Sequence, residues 1–176
     1  MGTAKLRFEV IRSAKRFSGL NTDILLAHIN SLVAEKSYIL FDRRFTLRQE
    51  KRWQAERAKG IRAGTYLPII CWDGGKIAGL SDVRKGEYKE RHTVFLGVAV
   101  ARAYRGKGIG EKFLKLAIHE AKKTMKAKCI WLEYQDGNAP AKRLYEKIGF
   151  AECARLPGFI NHYGRYCDKV FMRYPK

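Results

Sequence analysis

The sequence lacks any run of about 18 consecutive apolar residues, the length a membrane-spanning helix needs. Met1-Gly2-Thr3-Ala4-Lys5 carries no apolar stretch of the kind that directs secretion, so the default expectation is a cytoplasmic protein without a membrane partner. C-x-x-C pairs are missing as well. Cys71, Cys129, Cys153 and Cys167 lie far apart, mostly in apolar, strand-like runs, which predicts buried free thiols rather than disulfides or zinc ligands. No metal site is expected. Repeats and low-complexity linkers are also absent, and 176 residues read as one domain, 1–176, long enough to bury about 70% of the surface exposed by the unfolded chain.

Acidic residues are scarce. Lys and Arg number 36 against 17 Asp and Glu, a formal net charge of +19, and this sign argues against a polycationic substrate. The basic residues concentrate in 43–62, 84–91 and 112–128. Two readings stand: a solvated basic surface, or a contact with ribosome or nucleic acid, although no arginine-rich arm or aromatic-interleaved motif is present.

Hydrophobic periodicity predicts an α/β chain of strands and helices. Strands are expected over Leu6–Ile11, Tyr66–Trp72, Ile77–Val83, Val94–Val100, Cys129–Tyr134, Phe150–Leu156 and Cys167–Tyr174. Asp73-Gly74-Gly75-Lys76 turns the second into the third, and Tyr163-Gly164-Arg165 connects the sixth to the seventh. The apolar run Val94–Val100 predicts a central strand buried on both faces. Helices are expected over about Thr22–Glu35 and Leu47–Lys59 and after residue 109. In the last of these Phe113, Leu114, Ala117, Ile118 and Ala121 share one side, opposite Lys112, Lys115, His119 and Lys122. Glu120 falls at the edge of that stripe and predicts a boundary carboxylate.

Between the central strand and this helix stands Arg105-Gly106-Lys107-Gly108-Ile109-Gly110. A glycine turn at a helix N-terminus presents backbone NH groups to a phosphate-bearing ligand. The spacing excludes a P-loop, since no Ser or Thr follows and Lys107 lies inside the turn. It also departs from G-x-G-x-x-G. What remains is R-x-x-G-x-G, or a turn that uses glycine for tightness alone.

Downstream, Asn138-Ala139-Pro140-Ala141-Lys142-Arg143-Leu144-Tyr145-Glu146-Lys147-Ile148-Gly149-Phe150 reads as a short helix. Asn138 is its N-cap, Pro140 falls in the first turn and Gly149 ends it, while Ala141, Leu144, Tyr145 and Ile148 form its apolar face. R-x-x-G-x-G followed by N-x-x-A-x-x-L-Y-x-x-x-G-F resembles the two signatures of the GNAT acetyltransferase superfamily, in that family's order. The resemblance is clearest from Val94 to Phe150. It implies the GNAT fold, an α/β (α+β) mixed sheet of about seven strands flanked by about four helices, with acetyl-CoA as co-substrate.

The resemblance also implies roles. Val98 and Val100 would offer backbone groups to the pantetheine arm and thioester. Arg105, Gly106, Lys107, Gly108, Ile109 and Gly110 would hold the pyrophosphate through backbone NH groups, with Arg105 or Lys107 adding charge. Asn138 would bind the pantetheine arm as well as cap its helix.

Acyl transfer from a thioester to an amine needs a base and an acid, because an alkylammonium with a pKa of about 10 is no nucleophile and a thiolate leaves better when protonated. Tyr145 is the expected acid and is also expected to contact the co-substrate. Glu133, in the fifth strand, is the first choice of base, since ribosomal-protein N-terminal alanine acetyltransferases resemble this segment and carry a glutamate at the matching point. Several amine acetyltransferases carry a fourth-strand glutamate where this chain has Phe95. His92 and an ordered water therefore stay open as bases. Tyr38, Phe41, Trp53, Phe159, His162 and Tyr163 are candidates to line the acceptor site.

The expected function is N-acetylation of a primary amine, with a protein N-terminus slightly ahead of a small molecule or amino acid. The alternative from another class is a basic module that binds CoA, RNA or the ribosome without catalysis. Oligomeric state is not legible.

Overall fold

The structure, a computed structural model, describes residues 6–175, so the Met1–Lys5 stretch read above lies outside the described residues. Strand β1 (Arg7–Val10) leads through α1 (Ala14–Ser18), α2 (Thr22–Ala34) and α3 (Leu47–Ala63) to the hairpin β2 (Tyr66–Asp73) and β3 (Lys76–Lys85). Then come β4 (Thr93–Val100), α4 (Ile109–Lys123), β5 (Cys129–Gln135), α5 (Ala139–Ile148) and the hairpin β6 (Ala151–His162) and β7 (Arg165–Tyr174). The sheet order is β1-β2-β3-β4-β5-β7-β6, and every pairing is antiparallel except β4 with β5. This is the seven-stranded GNAT arrangement that the motifs implied.

The helices start and stop where their ends are satisfied. Asn21 caps α2, Thr46 and Gln49 form a reciprocal capping box on α3, and Gly64 in a left-handed conformation closes α3. Two apolar clusters then sandwich the sheet. On one face α4 and α5 bury Phe113, Leu114 and Tyr145 against Ile69, Leu96, Leu132 and Met172; on the other, α1 to α3 bury Phe17, Leu25 and Ile61 against Ile70 and Trp72. Gly79 makes room for Phe113, since a Cβ there would lie 2.8 Å from the ring.

Several expectations are corrected. Helix α1 brings the count to five; its single short turn gives too few residues for a periodic pattern. Strand β4 is fully buried only at Val94 and Leu96, because α1 to α3 leave its second face partly uncovered. Strand β6 runs on past Leu156 to His162, where Pro157 is tolerated on an edge strand and Gly158, at φ +60°, absorbs the register irregularity. Arg165 pairs with His162, so the connection is Tyr163-Gly164, both at positive φ. All four cysteines are free, but only Cys71 is buried, and Cys153 is exposed on the edge strand.

Glu120 is no boundary residue. It is 3% exposed, receives Arg12 Nη2 at 2.5 Å and accepts from Thr124 Oγ1 at 2.8 Å. Helix α3 buries two further polar side chains. Gln54 bonds to the carbonyls of Phe17 and Leu20 and accepts from Thr22. Glu50, one turn earlier, has no such side-chain partner among the described residues, and burial pushes its carboxyl up to about 7.

A carboxyl whose folded-state pKa is raised gives stability that is fully present below the unfolded value and lost as pH rises through the folded one. Urea denaturation should therefore show Glu50→Gln nearly as stable as wild type at pH 4.5 and more stable than wild type at pH 8. Parallel pH dependences for the two proteins would contradict this reading of Glu50.

Candidate active site

Strands β4 and β5 share only three rungs, Thr93 with Cys129, Val94 with Ile130 and Phe95 with Trp131. Beyond them β4 stays bonded to β3 as far as Val100, and β5 stays bonded to β7 as far as Gln135. A gap therefore separates residues 96–100 from residues 132–135. Val98 and Val100 lie along it, half-buried against the α4 core, with the backbone edge of β4 turned to the gap and unpaired by β5. Unpaired strand edges are sites where an extended, amide-bearing chain can bond.

The glycine loop lies just beyond the end of β4. Gly106 and Gly108 adopt φ of +74° and +73°, and a Cβ at either would meet nothing within 4 Å, so the loop faces open space. Gly108 is the N-cap of α4 and supplies no side-chain cap. The first helical bond closes from Lys112 N to the Gly108 carbonyl, which leaves the amides of Ile109, Gly110 and Glu111 without helical acceptors. Free NH groups, the positive helix end and open glycines suit an anion. Glu111, in the same turn, is neutralised by Lys115 at 2.8 Å and Lys147 at 2.7 Å, and those hydrogen bonds hold its carboxyl down to about 2.

The two cations of the loop differ. Arg105 is engaged elsewhere, donating Nε to the Val100 carbonyl at 3.0 Å and Nη2 to Glu35 at 2.5 Å. Lys107 stacks its ammonium over Tyr104, 5.4 Å from the ring centre, and forms no ion pair among the described residues. Asn138 accepts from Ala141 N through Oδ1, so its cap leaves the side-chain NH2 as a donor.

Tyr145 is the buried residue of α5, at 8% exposure, with Tyr134 6.1 Å and Phe150 6.2 Å away between ring centres. Burial, and secondarily the neighbouring Tyr134, push its phenol up to about 12. Glu133 lies on the opposite face of β5. Ile130, Leu132 and Tyr134 face α4 and α5, whereas Trp131 and Glu133 face the sheet surface left open beyond α3. Its carboxylate is paired with Lys169 at 3.0 Å, both side chains being about 15% exposed. His92 is exposed before the start of β4, roughly 16 Å along the strand from Gly97, and so does not join the gap.

Tyr38, Phe41, Phe159, His162 and Tyr163 do converge. The α2–α3 connection and the β6–β7 hairpin enclose a cleft of about 160 Å³ at the end of β5, lined by Phe41, Asp42, Gln135, Phe159, His162 and Tyr163. Tyr38 stacks on His162 at 4.7 Å. Trp53 is elsewhere, packed on Phe17 in the α1–α3 core. Gln135 was missed from the sequence; its Nε2 bonds to the Ile39 carbonyl at 3.1 Å, and its buried Oε1 has no partner among the described residues. Asp82 in β3 was also missed, although an acid directly after the run Ile77–Ser81 was a usable signal.

Against known proteins, the family model described as "Acetyltransferase (GNAT) family" matches residues 31–150. An N-alpha-acetyltransferase of Sulfurisphaera tokodaii is 30% identical over 129 residues, 70% of this chain and 71% of that protein. A ribosomal-protein-alanine N-acetyltransferase structure from Brucella melitensis has a TM-score of 0.78 at 25% identity, covering 98% of this chain and 99% of that one. The Salmonella typhimurium yncA structure, a putative acetyltransferase with its cofactor acetyl-CoA, shares the fold at a TM-score of 0.78 and 22% identity, over 96% of this chain and 92% of that one. The chain spans 32%, 64% and 54% of the length of the first curated relatives it matches.

The Tyr145 phenol should stay protonated far into the alkaline range. In an ultraviolet titration, Tyr145→Phe should remove no phenolate absorbance below about pH 11, the loss appearing only above it. A missing transition near pH 10 would mean that Tyr145 is not buried in solution.

Proposed function

The chain belongs to the acetyltransferase (GNAT) family, and on that premise we propose that it is an acetyl-CoA-dependent N-acetyltransferase whose acceptor is a protein N-terminus. The gap between β4 and β5, running to the uncapped glycine end of α4, is the observation that carries this reading. The pantetheine arm fits the edge of β4 that β5 leaves unpaired at Val98 and Val100, where Arg105 already holds the Val100 carbonyl, and Asn138 has an amide donor to spare for it. The pyrophosphate fits the amides from Gly106 to Gly110, with Lys107 supplying the free charge and Arg105 bracing the loop to α2.

Tyr145 holds the proton that the departing sulfur takes up, and its buried phenol keeps that proton at neutral pH. Glu133 flanks the acceptor side of the gap, but Lys169 compensates its charge. The acceptor enters through the cleft between the α2–α3 connection and the β6–β7 hairpin. Leu40, Phe41, Phe159 and Tyr163 are exposed along it, so an extended chain end can lie across its rim. The N-alpha-acetyltransferase and ribosomal-protein-alanine acetyltransferase relatives support the same choice. A small-molecule or amino-acid acceptor is the second reading, favoured by the cleft's modest volume and by the match to a Salmonella typhimurium L-methionine sulfoximine/L-methionine sulfone acetyltransferase.

Thiol release from acetyl-CoA with a panel of amino-terminal peptides, free amino acids and small amines tests the proposal. Peptides should give kcat/KM at least about tenfold above free amino acids. Tyr145→Phe should lower kcat on the order of 10²-fold, and Gly108→Val, forced from its left-handed conformation, should weaken CoA binding measured by calorimetry. The reverse order of acceptors selects the small-molecule reading. Tight CoA binding with no turnover, together with salt-sensitive RNA binding, selects a non-catalytic basic module.

A further inference from the structure

Asp82 lies on β3 directly opposite Gly97 of β4, half-buried on the face of the sheet that α1 to α3 cover only in part. Because Gly97 has no side chain, the aspartate covers its Cα: a Cβ built there would lie 3.5 Å from Asp82 Cβ and 3.7 Å from Asp82 Oδ2. Gly97 comes two residues after Phe95, the last rung shared with β5, so this carboxylate overhangs the point where the gap opens. Glu133, two residues after Trp131, holds the matching position on the other strand. Two carboxylates thus flank the mouth of the gap, on the face of the sheet opposite Tyr145.

They are not equivalent. Glu133 is bound to Lys169 at 3.0 Å. Asp82 has no cation within 4.0 Å among the described residues, its Oδ1 accepts the hydroxyl of buried Tyr66, and its Oδ2 has no partner among them. The nearby guanidiniums are held by aromatic rings instead, Arg84 over Phe95 at 4.2 Å and Arg57 over Tyr66 at 4.9 Å. Tyr66 therefore fixes the carboxylate's orientation and leaves one oxygen for an N–H donor.

We propose that Asp82 is the carboxylate that receives the acceptor's amine and takes its proton, a role that rests on the acetyltransferase reading above. Asp82 Oδ2 first takes one proton from the acceptor ammonium and passes it to solvent; as the freed nitrogen lone pair then forms the new C–N bond, a second N–H proton passes to Oδ2. The C–S bond breaks, and the sulfur leaves with the proton of Tyr145. Solvent then returns a proton to Tyr145 and removes one from Asp82.

The test compares wild type with Asp82→Asn, Asp82→Glu, Asp82→Ala and Glu133→Gln by thiol release, using the best acceptor of the panel, with acetyl-CoA affinity from calorimetry and thermal unfolding alongside. Asparagine still accepts from Tyr66, so the fold should hold. Asp82→Asn should lose about 10²-fold or more in kcat with acetyl-CoA affinity unchanged within about twofold. Asp82→Glu should recover part of the loss, and added formate should restore turnover to Asp82→Ala, which a merely structural aspartate would not allow. Glu133→Gln should stay within about tenfold of wild type. Asp82→Asn at more than about a third of wild-type kcat, or formate without effect on Asp82→Ala, overturns the proposal. A wild-type protein that binds acetyl-CoA but acetylates nothing overturns the acetyltransferase reading, and this inference with it.

Discussion

The separation of β4 from β5 after three rungs is the constraint on which the rest of the site depends. Beside the gap each strand keeps its other partner, β4 with β3 as far as Val100 and β5 with β7 as far as Gln135, so neither can close the gap without tearing a ladder. Backbone groups left without partners inside a sheet are costly unless something binds them, and an extended chain of amides answers that need. The same divergence decides what stands at the two ends of the gap. At its mouth Asp82 and Glu133 occupy one face of the sheet while Tyr145 packs behind the other. Past the end of β4 the open amides of α4 begin.

The parts of this arrangement that were legible in the sequence are those encoded locally. Gly106, Gly108 and Gly110 show a turn, Asn138 and Gly149 mark the ends of α5, and the apolar stripe from Phe113 to Ala121 shows which side of α4 is buried. Long periodic helices and the Asp73–Lys76 hairpin were legible for the same reason. What escaped depends on contacts between residues distant in sequence. Glu120 reads as an edge residue until Arg12, more than 100 positions away, folds over it. Val94–Val100 reads as doubly buried because an apolar run does not record that helices cover only part of one face. Asp82 gains meaning only opposite Gly97, and Glu133 only beside Lys169.

The acceptor cleft is tied to the donor end of the site. Arg105 follows β4 and binds both the Val100 carbonyl and Glu35, the residue that ends α2. From there the α2–α3 connection meets the β6–β7 hairpin through Tyr38 stacked on His162 and Lys36 over Tyr163, and meets β5 through Gln135 bonded to Ile39. A loop fixed at three places loses less conformational freedom when a ligand arrives, so more of the binding energy is retained. The arginine of the first signature therefore has a structural duty that its place beside a phosphate loop does not suggest.

With 36 basic residues against 17 acidic ones, most carboxylates in such a chain find a cation. Glu9, Glu35, Glu111, Glu120 and Asp168 all do, each within 3.3 Å. Asp82 stands near two guanidiniums and pairs with neither, because the rings of Phe95 and Tyr66 hold them by stacking. An arginine over an aromatic face keeps its charge without covering a neighbouring carboxylate oxygen. Asp82 is thus left with no bound cation among the described residues and with Oδ2 uncommitted, at the place where an ammonium would meet the gap.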